Sequence, residues 1–109
     1  LSVILGAFGA HALKAKLSEQ MINVYQTGIQ YHFYHALGLI IIGLLALHLP
    51  VSIWLKWSGW LMFSGIILFS GSLYMLALTN IRWLGAITPL GGLAFILAWL
   101  MLSMAILKS

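Results

Sequence analysis

Four long apolar stretches, separated by short polar breaks, occupy nearly all of this 109-residue chain and name the solvent it folds in. With 63% hydrophobic residues, 6% charged and one acidic side chain, Glu19, a water-soluble fold would lack the polar surface to cover its core. The chain reads as an all-α membrane protein. Four helices of about 20 residues consume the length, so residues 1–109 are expected to form one domain. The absence of cysteine removes disulfides, thiolate metal sites and thiol nucleophiles. Lys14, Lys16, Lys56, Arg82 and Lys108 stand singly at the ends of apolar segments, which suits lipid headgroups and argues against nucleic acid.

The first span, Leu1 to Leu13, is about 20 Å of helix, short of a hydrocarbon core of about 30 Å, and is expected to be the end of a longer helix. A signal-peptide remnant is the alternative. Lys14 to Gln30 is polar but patterned, with Leu17, Met21, Val24, Tyr25 and Ile29 on one side and Gln20, Asn23, Gln26, Thr27 and Gln30 opposite. It predicts an amphipathic segment, capped by Ser18 with Glu19 in its first turn, leading into helix 2. That second span runs from Tyr31 to Leu49 and stops at Pro50.

Ser52 is placed to cap a third helix, whose Trp54, Lys56, Trp57 and Trp60 form an aromatic and basic anchor and whose end falls at Thr79 and Asn80. Arg82 and Trp83 mark the same kind of boundary. The fourth span is expected over Pro89 to Leu107, with Thr88 as its cap; the rival boundary starts near Trp83 and kinks at Pro89. The charges do not settle which way the spans are oriented.

Small residues recur every seventh position: Ser58, Gly65 and Ser72, with Ser64 and Gly71 beside them; Gly91, Ala98 and Ala105; Ala36 and Gly43. Ser2, Gly6 and Ala10, with Gly9, do the same at fourfold spacing. These positions predict close helix packing, in a tight antiparallel left-handed bundle without a wide pore.

Little chemistry is in view. No Asp, Glu, Lys or Arg lies inside an apolar span, so proton coupling would rest on histidine. His11, His32 and His35 fall near one membrane face, and His11 with His35 is the pair that a haem or quinone site would use. The competing reading makes them interfacial histidines in a polar cluster with Gln26, Thr27 and Gln30. His48 is interfacial at the far end. The turn Thr88-Pro89-Leu90-Gly91-Gly92 offers amides to an anion, but capping and packing explain it equally. Serines 70 and 72 have no acidic partner and are expected to bond their own helix or a neighbour.

Four segments in order, Gly6-Ala7-Phe8-Gly9-Ala10-His11-Ala12-Leu13, Gln26-Thr27-Gly28 running to His35-Ala36-Leu37, Leu68-Phe69-Ser70-Gly71-Ser72-Leu73-Tyr74 and Thr88-Pro89-Leu90-Gly91-Gly92, resemble the YgdD-like bacterial inner-membrane family, domain of unknown function 423. The resemblance implies four spans, both termini in the cytoplasm and the clustered histidines toward the outer face. It implies no activity. His11 and His35 match the family pattern, whereas His32 stands where glutamine is expected. The chain is accordingly expected to be a non-catalytic accessory or oligomeric component of the bacterial inner membrane, with no cofactor. A small-solute carrier or channel is the alternative, as is a haem or quinone subunit.

Overall fold

The computed structural model describes residues 1–50 and 52–108. Four helical rods follow in chain order: α1 Ser2–Leu13, α2 Glu19–His48, α3 Ile53–Thr79 and α4 Arg82–Leu107. The last three are long and apolar enough to cross a membrane; α1 is a shorter apolar helix. Helices are what hydrocarbon permits, because each satisfies its own backbone N–H and C=O groups.

The rod ends follow from local chemistry. Ser18 caps α2, its hydroxyl accepting the Met21 N–H at 3.2 Å with Glu19 in the first turn. Ser52 caps α3 in the same way through the Leu55 N–H at 3.2 Å. Asn80 ends α3 in the left-handed conformation, φ 58°, and donates its N–H to the Leu76 carbonyl at 2.7 Å; asparagine tolerates that conformation better than most residues. α2 continues unbroken through Gly28, so the amphipathic segment and the second span are one rod of 30 residues.

Thr88 does not cap the fourth span. A 3₁₀ turn over Arg82–Ala86 precedes it, Thr88 is already the first α-helical residue, and Pro89 sits in the first turn. The Thr88 hydroxyl is instead spent on α3. Two wide π turns, Gly9–Leu13 in α1 and Ile66–Ser70 in α3, also have no counterpart in the periodicity.

Each rod packs on the next in chain order, in a Cα trace of 49 × 26 × 14 Å. Gly28 meets Leu73 and Tyr74 while Gly38 meets Met62, so α2 and α3 pair in opposite directions. Gly65 against Phe95 and Gly91 against Phe69 do the same for α3 and α4, and Gly6 on Ile29 with Gly9 on Tyr25 for α1 and α2. Apolar burial falls into two clusters. Ile42, Leu55, Met62, Ala98, Leu102 and Ala105 form one, and Leu13, Tyr25 and Ala77 the other. The outward surface is apolar too, with Ile40, Leu44, Ile67 and Leu93 all more than half exposed, as a lipid-facing surface requires.

Ser58, Gly65 and Ser72 of α3 and Gly91, Ala98 and Ala105 of α4 are buried. Their neighbours are not. Ser64 is exposed, standing about 100° around the helix from Gly65. Gly71 has open space where a side chain would begin, standing about 100° around the helix from the buried Ser72. On α2 the open glycine is Gly43, and Gly38 makes the contact.

A side chain begun at Gly91 would collide with the Phe69 backbone nitrogen, an obstacle that cannot rotate away. Gly91→Ala is therefore expected to cost about 1–3 kcal/mol. Gly71→Ala should be neutral or stabilise by up to about 1 kcal/mol, since alanine is the better helix former. Unfolding in detergent micelles measures both, and equal effects would contradict the packing described.

Candidate functional site

Between the two apolar clusters lies a layer of polar and aromatic side chains contributed by α2, α3 and α4. His35 is its centre. It is 5% exposed, its Nδ1 lies 2.7 Å from the Tyr31 carbonyl, and its Nε2 lies 3.0 Å from the Trp99 indole nitrogen on α4. A carbonyl only accepts and an indole N–H only donates, so the imidazole is the neutral Nδ1–H tautomer with no lone pair to spare. Phe95 stacks on its face with ring centroids 3.4 Å apart, and Tyr31 lies nearly parallel, 12° away.

His32, one turn earlier, faces α3 and shares a hydrogen bond of 2.8 Å between its Nδ1 and the Tyr74 hydroxyl. Ser70 donates its hydroxyl to the Gly28 carbonyl at 2.7 Å. Ser72 donates to the Phe69 carbonyl of its own helix, so the 2.6 Å bond across to α4 carries the Thr88 hydroxyl proton toward Ser72. Tyr25 reaches α1 and donates to the Leu5 carbonyl at 2.6 Å. One or two such bonds thus stitch each contact, α1 to α2, α2 to α3, α3 to α4 and α2 to α4. Among the described residues, no buried side-chain nitrogen or oxygen lacks a partner.

Two grooves flank this layer. One of about 650 Å³ is lined by Tyr31, His35, Phe69, Pro89, Phe95 and Trp99. Another, of about 260 Å³, lies between α1 and α2 and is lined by Gly6, Gly9, Ala10, Tyr25, Gln26 and Gln30.

The residues singled out by sequence are distributed differently from the expectation. Gly9 of α1 packs on Tyr25, so His11 is exposed on the order of 18 Å along α2 from the level of His35. The structure does not bring the two together, and both His35 nitrogens are engaged. Gln26, Thr27, Gln30 and His32 do not form one cluster either: at 100° per residue His32 turns to α3, while Gln26 and Gln30 are exposed along the α1 side and Thr27 bonds the Asn23 carbonyl at 2.9 Å. His48 is exposed at the end of α2. Among the described residues no three potential metal-ligating side chains gather.

Sequence reasoning missed Trp99, Tyr74, Tyr25, Gly28 and Gly38. Trp99 carried a signal: it sits deep in the most apolar run, away from any headgroup boundary, and a tryptophan N–H at such a depth needs an acceptor.

A four-rod, lipid-facing chain with an internally satisfied polar layer is an integral membrane protein, and the comparisons agree. Residues 5–92 match the model for a protein of unknown function, DUF423, and the chain belongs to that family. It is 55% identical over 108 residues to a UPF0382 membrane protein of Staphylococcus haemolyticus, covering 99% of this chain and 87% of that one. The UPF0382 membrane protein YwdK of Bacillus subtilis is likewise 55% identical, over 99% of this chain and 88% of its own. No solved structure matches. The chain is thus a multi-pass membrane protein of a bacterial family without an assigned activity.

The site geometry makes two expectations. Nitrogen NMR of labelled protein should show His35 as the neutral Nδ1–H tautomer. A double-mutant cycle of His35→Leu with Trp99→Phe should give a coupling of about 0.5–1.5 kcal/mol, and zero coupling would mean the bond is not made.

Proposed function

We propose that this chain is an accessory or oligomeric component of the bacterial inner membrane, working as one four-helix unit through its helix surfaces and without a reaction of its own. One observation carries the reading: buried polar side chains are consumed in bonds between the chain's own helices. A carrier or channel needs polar groups turned toward a continuous path. Here Gly91 against Phe69, Gly65 against Phe95 and Gly38 against Met62 draw the helices together along the line such a path would take. A haem or quinone site on His11 and His35 would need the two at one level, and the α1–α2 register supports the packing reading instead.

The finer architecture belongs to the same proposal. The sevenfold spacing of buried small residues on α3 and α4 favours a tight antiparallel bundle of left-handed crossing in the membrane. With α1 taken as a fourth crossing, both termini lie on one side of the membrane, and the family resemblance supports the cytoplasm as that side.

Native mass spectrometry of protein released from bacterial membranes in mild detergent tests the functional reading. The expected particle retains a second copy or another membrane protein, and a strictly monomeric particle without any partner overturns the proposal. Reporter fusions after Lys108 test the orientation: green fluorescent protein should fluoresce and alkaline phosphatase should stay inactive. The reverse pattern would put the termini outside.

A further inference from the structure

Lys56 carries a charge that the rest of the chain leaves unanswered. Its ammonium makes no ion pair or hydrogen bond among the described residues, and the one acidic side chain, Glu19, stands at the far end of α2. On the same side of the bundle His48 closes α2, and the Lys108 ammonium lies 5.6 Å from the Trp54 ring centre, so the neighbouring titratable groups add positive charge or none.

Inward from Lys56 runs an apolar groove of about 630 Å³ between α2 and α3, within the range of about 300–1,000 Å³ usual for a ligand cleft. Buried Ile42 and Leu55 are its floor, and Leu39 and Phe63 its inner end. Gly59 gives it depth, because a side chain begun there would meet only Ile42, at an ordinary 3.7 Å.

The place of the groove in the membrane follows from α3. Its 27 residues make about 40 Å of helix against a hydrocarbon core of about 30 Å, so roughly three residues at each end lie outside. Lys56 falls at the boundary, beside Trp57 and Trp60, the residue types that anchor a span among headgroups. Phe63 on α3 and Leu39 on α2 are each roughly 14 Å from the rod ends on this side, which sets the inner end of the groove within hydrocarbon.

A phospholipid matches both halves of this surface, with an acyl chain for the groove and a phosphate for Lys56. The Ser52 oxygen accepts the Leu55 N–H, which leaves its hydroxyl proton to donate to the same phosphate, and the positive end of the α3 dipole points the same way. A zwitterionic headgroup brings its own cation, whereas a net anionic one compensates Lys56. A second helix suits the groove poorly. Trp60 and Phe63 stand exposed on its rim and hold another backbone away, and a symmetric second copy would bring a second Lys56.

We propose that the α2–α3 groove binds one anionic phospholipid, its acyl chain along Ile42, Leu55 and Gly59 and its phosphate held by Lys56 and Ser52. The site does not depend on the oligomeric reading above.

Native mass spectrometry of delipidated protein in mild detergent, titrated with phosphatidylglycerol or with phosphatidylcholine of the same acyl chains, tests the site. Phosphatidylglycerol is expected to bind one-to-one and roughly fivefold more tightly, and Lys56→Gln should remove that preference. Lys14→Gln, at the opposite end of the bundle, should leave it intact. Gly59→Leu fills the groove without meeting backbone and should weaken phosphatidylglycerol binding about tenfold at unchanged helix content. Ala46→Phe, reaching in from an exposed position on the α2 wall, should do the same and covers the case in which Gly59→Leu does not fold. Excess glycerol phosphate should not displace the lipid, because it has no chain for the groove.

Equal binding of the two lipids, or a preference that survives Lys56→Gln, overturns the proposal. Displacement by glycerol phosphate overturns it too, leaving a phosphate contact without a lipid site, as does unchanged binding in Gly59→Leu and Ala46→Phe. A lipid-free dimer that Gly59→Leu dissociates would give the groove to a second copy instead.

Discussion

Inside hydrocarbon, apolar side chains gain little by leaving lipid for one another, so this fold depends on backbones brought within contact distance and on hydrogen bonds that cross between helices. Gly91 is the sharpest instance: its missing side chain is what lets α4 rest on the Phe69 backbone of α3. That contact sets the separation of the two rods. Thr88 and Ser72 then meet at 2.6 Å, and Phe95 can occupy the hollow left by Gly65. The same logic repeats on α2, where Gly28 and Gly38 admit Tyr74 and Met62.

Hydrogen bonds add what close packing lacks, a preferred register. A helix sliding along its neighbour by one turn keeps much of its van der Waals contact but loses every specific donor–acceptor pair. His35 and Trp99 illustrate the point. They tie α2 to α4, rods that are not consecutive in the chain, and the aromatic stack of Tyr31, His35 and Phe95 fills the space around that bond. Ser70, at the end of the wide turn at Ile66–Ser70, meets the Gly28 carbonyl, and Ser72 meets Thr88 across to α4. The outcome is a polar layer held entirely within the protein, which is why the broad outer faces carry the functional interpretation.

Much of the secondary structure was legible because it is governed locally. Ser18, Ser52 and Asn80 act on backbone groups a few residues away, so their type and spacing are enough to locate the ends of α2 and α3. Thr88 has the same residue type as a cap and a proline after it, yet its hydroxyl serves α3 and the helix is entered through a 3₁₀ turn. The candidate site was less legible. Spacing placed His32 and His35 on one side of α2, but which helices they meet depends on how three rods lie against one another. His11 appeared close to them by boundary position and is removed by the α1–α2 register.

By itself, the amino-acid sequence determined the solvent, the number of rods and most of their limits, since hydropathy and capping act over one helix length or less. Tertiary structure alone decided which of many small residues face a neighbour, separating Gly91 and Gly38 from Gly71 and Gly43. It also decided which polar groups find partners inside, as His35 does, and which are left exposed, as Gln30 is. Periodicity describes an ideal helix taken singly. The wide turn in α3 and the offset between adjoining rods lie outside that ideal, and they set the faces that the helices turn to one another.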